Sequence, residues 1–286
     1  MALIPLDKNG IHREQRAHRT PVHDQLHADK GRVIRLASSE CFKSTDRFQP
    51  LKMGNLRTWV RREYFDDRLR RLLENPDEAL ERCTRWFKCG PHRSSTVGCI
   101  DGFVLKRHNR KKWGNLFKDL FRQSRARRAF RQAFHLELLG IPTARVVAAA
   151  ERRSWRVLCG SYLVTVEIPG AIDLESYLNT GVLPGHELIQ RMATLIARLH
   201  KEGFSHRDLK GANILLDAHG QPYLVDLDGL RDLRQVSDAR AAADLERLAR
   251  SVREHPHVTR ADYRAFLRAY CRARERRSVP RGQCET

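Results

Sequence analysis

Between residues 186 and 201 the apolar side chains fall at Leu188, Ile189, Met192, Leu195, Ile196 and Leu199, one face of a helix with 3.6 residues per turn. The same period predicts helices over 124–139, 239–254 and 261–277, with Thr259 as a cap for the last. It also predicts helix over 57–65 and 76–82, where Pro76 suits a first helical position and Asp77 and Glu78 suit the positive end of the dipole. Short apolar runs bounded by turn residues predict strands at 84–88, 96–100 and 103–107. Asp101-Gly102 is the hairpin turn between the last two. Further strands are expected at 146–151, 156–159 and 162–167, before Pro169-Gly170 breaks the pattern. Residues 1–52 follow neither period, are rich in His and Arg, and are interrupted by Gly10, Pro21, Gly31 and Pro50. They read as a disordered basic extension.

Two short apolar runs, 214–216 and 223–225, carry the chemistry. The first follows His206-Arg207-Asp208-Leu209-Lys210-Gly211-Ala212-Asn213, which fits the catalytic loop H-R-D-L-x-x-x-N; the second precedes Asp226-Leu227-Asp228-Gly229. A hairpin of this length returns Asn213 and Asp226 to the same end. Phosphoryl transfer needs a carboxylate to receive the acceptor's proton and oxygen ligands to hold Mg²⁺ on the phosphates. Asp208 suits the first task, Asn213 and Asp226 the second. The motif predicts an α+β, bilobal protein-kinase-like fold using ATP and Mg²⁺. It would have a mainly antiparallel β small lobe over 53–168 and a short, mainly helical large lobe over 169–286.

In such a small lobe the first loop covers the phosphates and the third strand carries a lysine. Ser94, Ser95 and Thr96 would offer hydroxyls and N–H groups to phosphate, although no G-x-G-x-x-G is present. Lys106, in Val104-Leu105-Lys106, would meet the α/β-phosphates. Backbone groups of Val166–Ile168 would hydrogen-bond adenine, which makes Val166 and Ile168 the candidate contacts. The helix over 124–139 should supply a glutamate to Lys106 near position 129, but Ala129 stands there; Glu137 is the available substitute. Asp244 is a candidate brace for the catalytic loop, or an ordinary surface aspartate. His206 and Arg207 read as structural braces.

Composition narrows the acceptor. The formal net charge is +20, which implies anionic partners and says nothing of fold. Residues 106–131 hold eleven Lys or Arg against one Asp, and Trp113, Leu116, Phe117, Leu120 and Phe121 share one helical face within them. Such a helix can lie in an anionic membrane interface or pack on the small lobe. No run is long and apolar enough to span a membrane and the N-terminus has no signal-peptide core. Seven cysteines without a C-x-x-C suit a reducing compartment better than a disulfide framework. Charge without a stacking platform does not predict nucleic-acid binding. Only 57 residues follow Gly229, with no A-P-E, which leaves little chain for a peptide-docking subdomain.

From about 57 to 275 the chain resembles the bacterial lipopolysaccharide kinase family, the Kdo/WaaP/InaA-like group. The resemblance rests on VLKRHNRKKW, SRARRAF…LLGIPTA, SYLVTVEIPGA, HRDLKGANILL and VDLDG. It implies transfer of the ATP γ-phosphate to a Kdo or heptose hydroxyl of the inner core. That acceptor is a lipid-linked anionic sugar, met at the cytoplasmic face of the inner membrane, with peripheral contact to that membrane. It further implies Asp208 as base, Lys210 as a γ-phosphate contact, Asn213 and Asp226 on Mg²⁺, and Lys106 on the α/β-phosphates. A compact protein Ser/Thr kinase, a small-molecule phosphotransferase and a non-catalytic binding module stay open as alternatives. The +20 charge argues against the cationic substrates of the second, and intact Asp208, Asn213 and Asp226 argue against the third.

Overall fold

The structure, a computed structural model, describes residues 33–34, 37–90, 94–109, 123–155 and 157–275. The basic amphipathic stretch expected over 113–121 lies outside them. Seven strands form one antiparallel sheet: β1 (Phe48–Met53), β2 (Leu56–Arg61), β3 (Arg85–Lys88), β4 (Ser95–Ile100), β5 (Phe103–His108), β6 (Val146–Ser154) and β7 (Val157–Val166). They lie in the order β1-β2-β6-β7-β5-β4-β3. Asp101 and Gly102, both at positive φ, close the β4–β5 hairpin as their sequence predicts.

Both faces of this sheet are covered. Helices α1 (Asp67–Glu74) and α2 (Pro76–Glu81) cover the outer face, where Leu69, Leu73 and Leu80 bury against Leu56, Val60, Leu105 and Val164. The inner face receives α3 (Arg125–Leu138), capped by the Ser124 hydroxyl. Phe130 and Phe134 of α3 meet Phe48 edge-on at 5.9 and 4.8 Å. The apolar core around α3 continues without a break into the second lobe.

The second lobe holds β8 (Ile172–Asp173), α4 (Leu174–Asn179), α5 (His186–Lys201), β9 (Phe204–His206), β10 (Ile214–Leu216), β11 (Pro222–Leu224), β12 (Leu230–Asp232), α6 (Asp238–Val252) and α7 (Arg260–Glu275). Strands β11-β10-β8 and β12-β9 make two small antiparallel sheets. Helix α5 packs its predicted apolar face against α7. Asp173 caps α4, Ser237 caps α6, and Thr259 caps α7 in a reciprocal pair with Asp262. The α+β, bilobal protein-kinase-like class is the one observed.

Three local expectations are corrected. The 57–65 stretch is strand β2 followed by one 3-10 turn, not helix. Leu56 and Val60 face α1 and α2 while Trp59 and Arg61 face α3, so both faces are buried and the two-residue alternation disappears. Residues 157–166 form one long strand instead of two. Regular structure among the described residues also begins before 53. Residues 38–42 form a 3-10 turn, 48–53 form β1, and Cys41 and Phe48 are fully buried against α3.

Candidate active site

The hairpin of β10 and β11 pairs Ile214 with Leu224 and Leu216 with Pro222. The Val225 amide then donates to the Asn213 carbonyl at 2.9 Å, so the two expected metal-binding residues do meet at one end. Asp226 takes left-handed backbone angles, φ 56 and ψ 60, which an Asp tolerates better than most side chains and which kink the chain out of the strand. After it, residues 227–229 make a single 3-10 turn. A methyl at Gly229 would stand 3.2 Å from the Asp208 nitrogen, so the catalytic loop passes close there.

His206 joins the two loops. Its ring is buried; Nδ1 accepts from the Asp208 amide at 3.3 Å and Nε2 faces the Asp226 carbonyl at 3.1 Å. A carbonyl can only accept, so Nε2 carries the proton and the ring is neutral. Burial pushes its pKa down, against the neighbouring aspartates. His206 is thus a strut between the loop that carries Asp208 and the turn that carries Asp226. Arg207 braces only through its backbone: its amide donates to the Gly229 carbonyl at 3.1 Å and its side chain is exposed.

Beneath the loop, Asp244 of α6 is 1% exposed. It accepts from the His206 amide (2.8 Å), Ser205 Oγ (2.8 Å) and Arg247 (2.7 Å), and faces His200 Nε2 at 3.3 Å. Burial raises its pKa, but these partners outweigh burial and hold it below the usual value. The expected brace is therefore present. Glu175 and Ser251 hold the other end, taking the amides of Ala212 (3.0 Å) and Gly211 (2.8 Å). Neither was visible in the sequence, because nothing local marks a glutamate on one helix and a serine on another as partners of one loop.

Asp208 itself is open, its side chain 56% exposed, with Lys210 Nζ at 3.0 Å and Asn213 Nδ2 at 3.2 Å. The second bond from Nδ2 goes to the Asp208 carbonyl at 2.7 Å. Asn213 Oδ1 is left buried without a hydrogen-bond partner. Buried polar atoms are seldom left this way. This orphaned amide oxygen and the Asp226 carboxylate, on residues brought to one end of the hairpin, are a donor set that suits Mg²⁺, which takes oxygen ligands and completes its shell with substrate phosphates.

From the small lobe, Lys106 Nζ reaches Asp226 Oδ1 at 2.7 Å and Asp228 Oδ2 at 3.1 Å. Lys88, at the end of β3, reaches Asp226 Oδ2 at 3.2 Å. Burial raises the Asp226 pKa, but the two lysines override it and keep the carboxylate ionised. The sequence reading missed Lys88, since a lysine ending a strand is indistinguishable from a surface lysine. The substitute partner proposed for Lys106 is corrected: Glu137 is bound to Arg61 through two hydrogen bonds, 3.0 and 2.7 Å, and lies away from Lys106.

Strand register decides the phosphate-loop candidates. Val97 pairs with Lys106 and Ser95 with His108, so Ser95 shares the cleft face of Lys106. Thr96 pairs with Arg107 on the opposite face, where its hydroxyl meets the Asn109 side chain at 3.3 Å. Its hydroxyl therefore does not face the cleft, a correction that follows from the two-residue period of a strand. Ser94 is exposed at the mouth of the loop, and its carbonyl accepts from the Asn109 amide at 3.0 Å. At the hinge the Val166 amide is taken by the Arg145 carbonyl at 2.8 Å and the Ile168 carbonyl by the Ala171 amide at 3.2 Å, so neither of these groups is open to a base.

Three comparisons bear on this site. The family model for the lipopolysaccharide kinase (Kdo/WaaP) family matches residues 70–270. A 3-deoxy-D-manno-octulosonic acid kinase of Vibrio vulnificus strain YJ016 is 30% identical over 204 residues, covering 67% of this chain and 81% of that protein. The corresponding kinase of Vibrio parahaemolyticus is 31% identical over 206 residues, covering 67% and 84%. A solved structure described as WaaP in complex with acyl carrier protein aligns with a TM-score of 0.52 at 23% identity. That alignment covers 72% of this chain and 87% of its own and shows a shared fold.

Proposed function

The chain belongs to the lipopolysaccharide kinase (Kdo/WaaP) family, and from that premise we propose that it transfers the γ-phosphate of ATP to a Kdo hydroxyl of the lipopolysaccharide inner core. It is a kinase acting on a sugar hydroxyl. Kdo is favoured over heptose because the relatives that match two thirds of the chain are 3-deoxy-D-manno-octulosonic acid kinases. The observation that carries the reading is the convergence of Asp208, Asn213, Asp226 and Lys106, tied together through His206.

Asp208 is the exposed carboxylate, placed to accept the proton of the attacking hydroxyl. Lys210, 3.0 Å from it, offers a cation to the transferring phosphoryl oxygens. Asn213 and Asp226 would hold Mg²⁺. Bound there, the ion supplies positive charge that neutralises the β- and γ-phosphate oxygens. Lys106 and Lys88 contact the phosphates from above, with Ser94 and Ser95 at the loop, while the Val166 carbonyl and Ile168 N–H hold adenine. The acceptor is a lipid-linked anionic sugar, and the chain works at the cytoplasmic face of the inner membrane, held peripherally by its basic surface. No helix among the described residues is long and apolar enough to cross a membrane.

The deciding experiment incubates the full chain with labelled ATP and a panel of Kdo–lipid A and heptosylated acceptors. Label on Kdo is the expected result. Label on heptose alone overturns the Kdo assignment, and label on protein with none on lipid-linked sugar overturns the proposal.

A further inference from the structure

We propose that Asp228 holds Lys106 in its phosphate-binding position, the task that a helix glutamate performs in protein kinases. This rests on the ATP-binding reading above. In α3 the only acidic residue is Glu137, and both its oxygens are committed to Arg61, whose side chain is 5% exposed. Ala129 stands where a glutamate was expected, and it is buried. Lys106 therefore has no carboxylate partner from the helix. It has two from the loop after β11: Asp226 at 2.7 Å and Asp228 at 3.1 Å.

The two are not equivalent. Asp226 is also bound by Lys88 and is the carboxylate fitted to the metal, so its charge is shared when nucleotide is present. Asp228 Oδ2 remains for Lys106, and the buried His108 ring stands 3.3 Å from the same oxygen. His108 lies two residues beyond Lys106 on the same face of β5, so one strand presents both groups to one carboxylate.

The helix still governs the pair, indirectly. Gln132 Nε2 of α3 donates to the Leu230 carbonyl at 3.0 Å, two residues past Asp228. Glycine at 229 lets the intervening turn lie against the Asp208 backbone. The sequence of contacts runs from α3 through Gln132 to the Asp228 segment and on to Lys106. Asp228 is a positioning residue in this scheme: its Oδ2 holds Lys106, and because its Oδ1 is buried without a hydrogen-bond partner, the test includes the Mg²⁺ dependence.

The test is a double-mutant cycle on the full chain, read as the dissociation constant for a non-hydrolysable ATP analogue with Mg²⁺, which needs no sugar acceptor. Lys106→Met and Asp228→Asn are each expected to weaken binding about tenfold, and the double variant no further than either alone. The Mg²⁺ concentration for half-maximal binding should stay within about twofold in Asp228→Asn and rise at least about tenfold in Asp226→Asn. Gln132→Leu, which keeps the volume of the side chain, should weaken binding when Lys106 is present and not in Lys106→Met. It serves as the second probe where Asp228→Asn fails to fold. Independent, multiplying effects of the Lys106 and Asp228 changes overturn the proposal, as does a large Mg²⁺ shift in Asp228→Asn, which would make Asp228 a metal ligand. If the cycle behaves as expected and no acceptor is labelled, the sugar-kinase reading fails and the role of Asp228 stands.

Discussion

Replacing Asp244 should cost stability and activity together, because the same carboxylate closes the core of the large lobe and anchors the catalytic loop. Its Oδ2 faces three partners, and its Oδ1 binds Arg247. Since an ionised carboxylate can only accept, His200 Nε2 must be the protonated nitrogen. Its Nδ1 then accepts from the Tyr270 hydroxyl at 2.7 Å, which ties α7 into the network. In Asp244→Asn the amide oxygen can keep Ser205 and the His206 amide, but the bonds lose their charge assistance. Its NH₂ then meets Arg247, whose half-exposed guanidinium can turn to water. Weakening two or three charge-assisted bonds by half costs about 2–3 kcal/mol. Asp244→Ala orphans the Ser205, His206 and His200 donors in a fully buried site and should cost about 3–5 kcal/mol. Urea unfolding at neutral pH measures both, with turnover followed on the folded fraction. The linkage sign is fixed by the lowered pKa: the stabilisation is complete above roughly pH 4 and fades as pH falls through the folded value. The gap between wild type and Asp244→Asn should therefore shrink in acid. A gap below about 1 kcal/mol at pH 7, or one that widens in acid, refutes the argument.

Asp208→Ala should abolish phosphoryl transfer while leaving nucleotide affinity within about threefold, since in the proposed mechanism the carboxylate acts on the acceptor's proton; calorimetry with the ATP analogue and a turnover assay check the two halves. Glu137→Ala should destabilise the fold by about 2–3 kcal/mol, because buried Arg61 keeps only its 3.4 Å contact to exposed Glu63, yet leave the turnover of folded molecules unchanged, because Glu137 does not touch Lys106. Lys88→Met should raise the KM for ATP about fivefold or more with a smaller change in kcat, and an unchanged KM removes Lys88 from the phosphate site. Neutralising Arg110, Lys111, Lys112 and Lys118 together should weaken sedimentation with anionic vesicles, most at low salt. Equal binding by the variant excludes that stretch as the membrane contact.

The placement of the motif residues was legible because it is local. Asp208 and Asn213 sit five residues apart in one loop, and Asp226 follows a strand of fixed length, so hairpin geometry alone returns the set to one place. Amphipathic helices such as α5 were legible for the same reason: one solvent face and one core face write a clear period. β2 was misread where that condition fails, with α3 on one side and α1 and α2 on the other.

What the tertiary structure decided is partnership across long sequence separations. Glu137 goes to Arg61 because the Trp59 and Arg61 side chains of β2 point at α3, and that pairing takes the helix carboxylate away from Lys106. Thr96 turns from the cleft because its register with Arg107 sets its face, while Ser95, one residue away, turns towards it. Lys88, His108, Glu175 and Ser251 reach the site from four separate elements. By itself the sequence determined that Asp208, Asn213 and Asp226 come together, since that is set by spacing within one hairpin. Which charges neutralise one another in the cleft was decided only by folding, because an ion pair depends on distance in space and leaves no period along the chain.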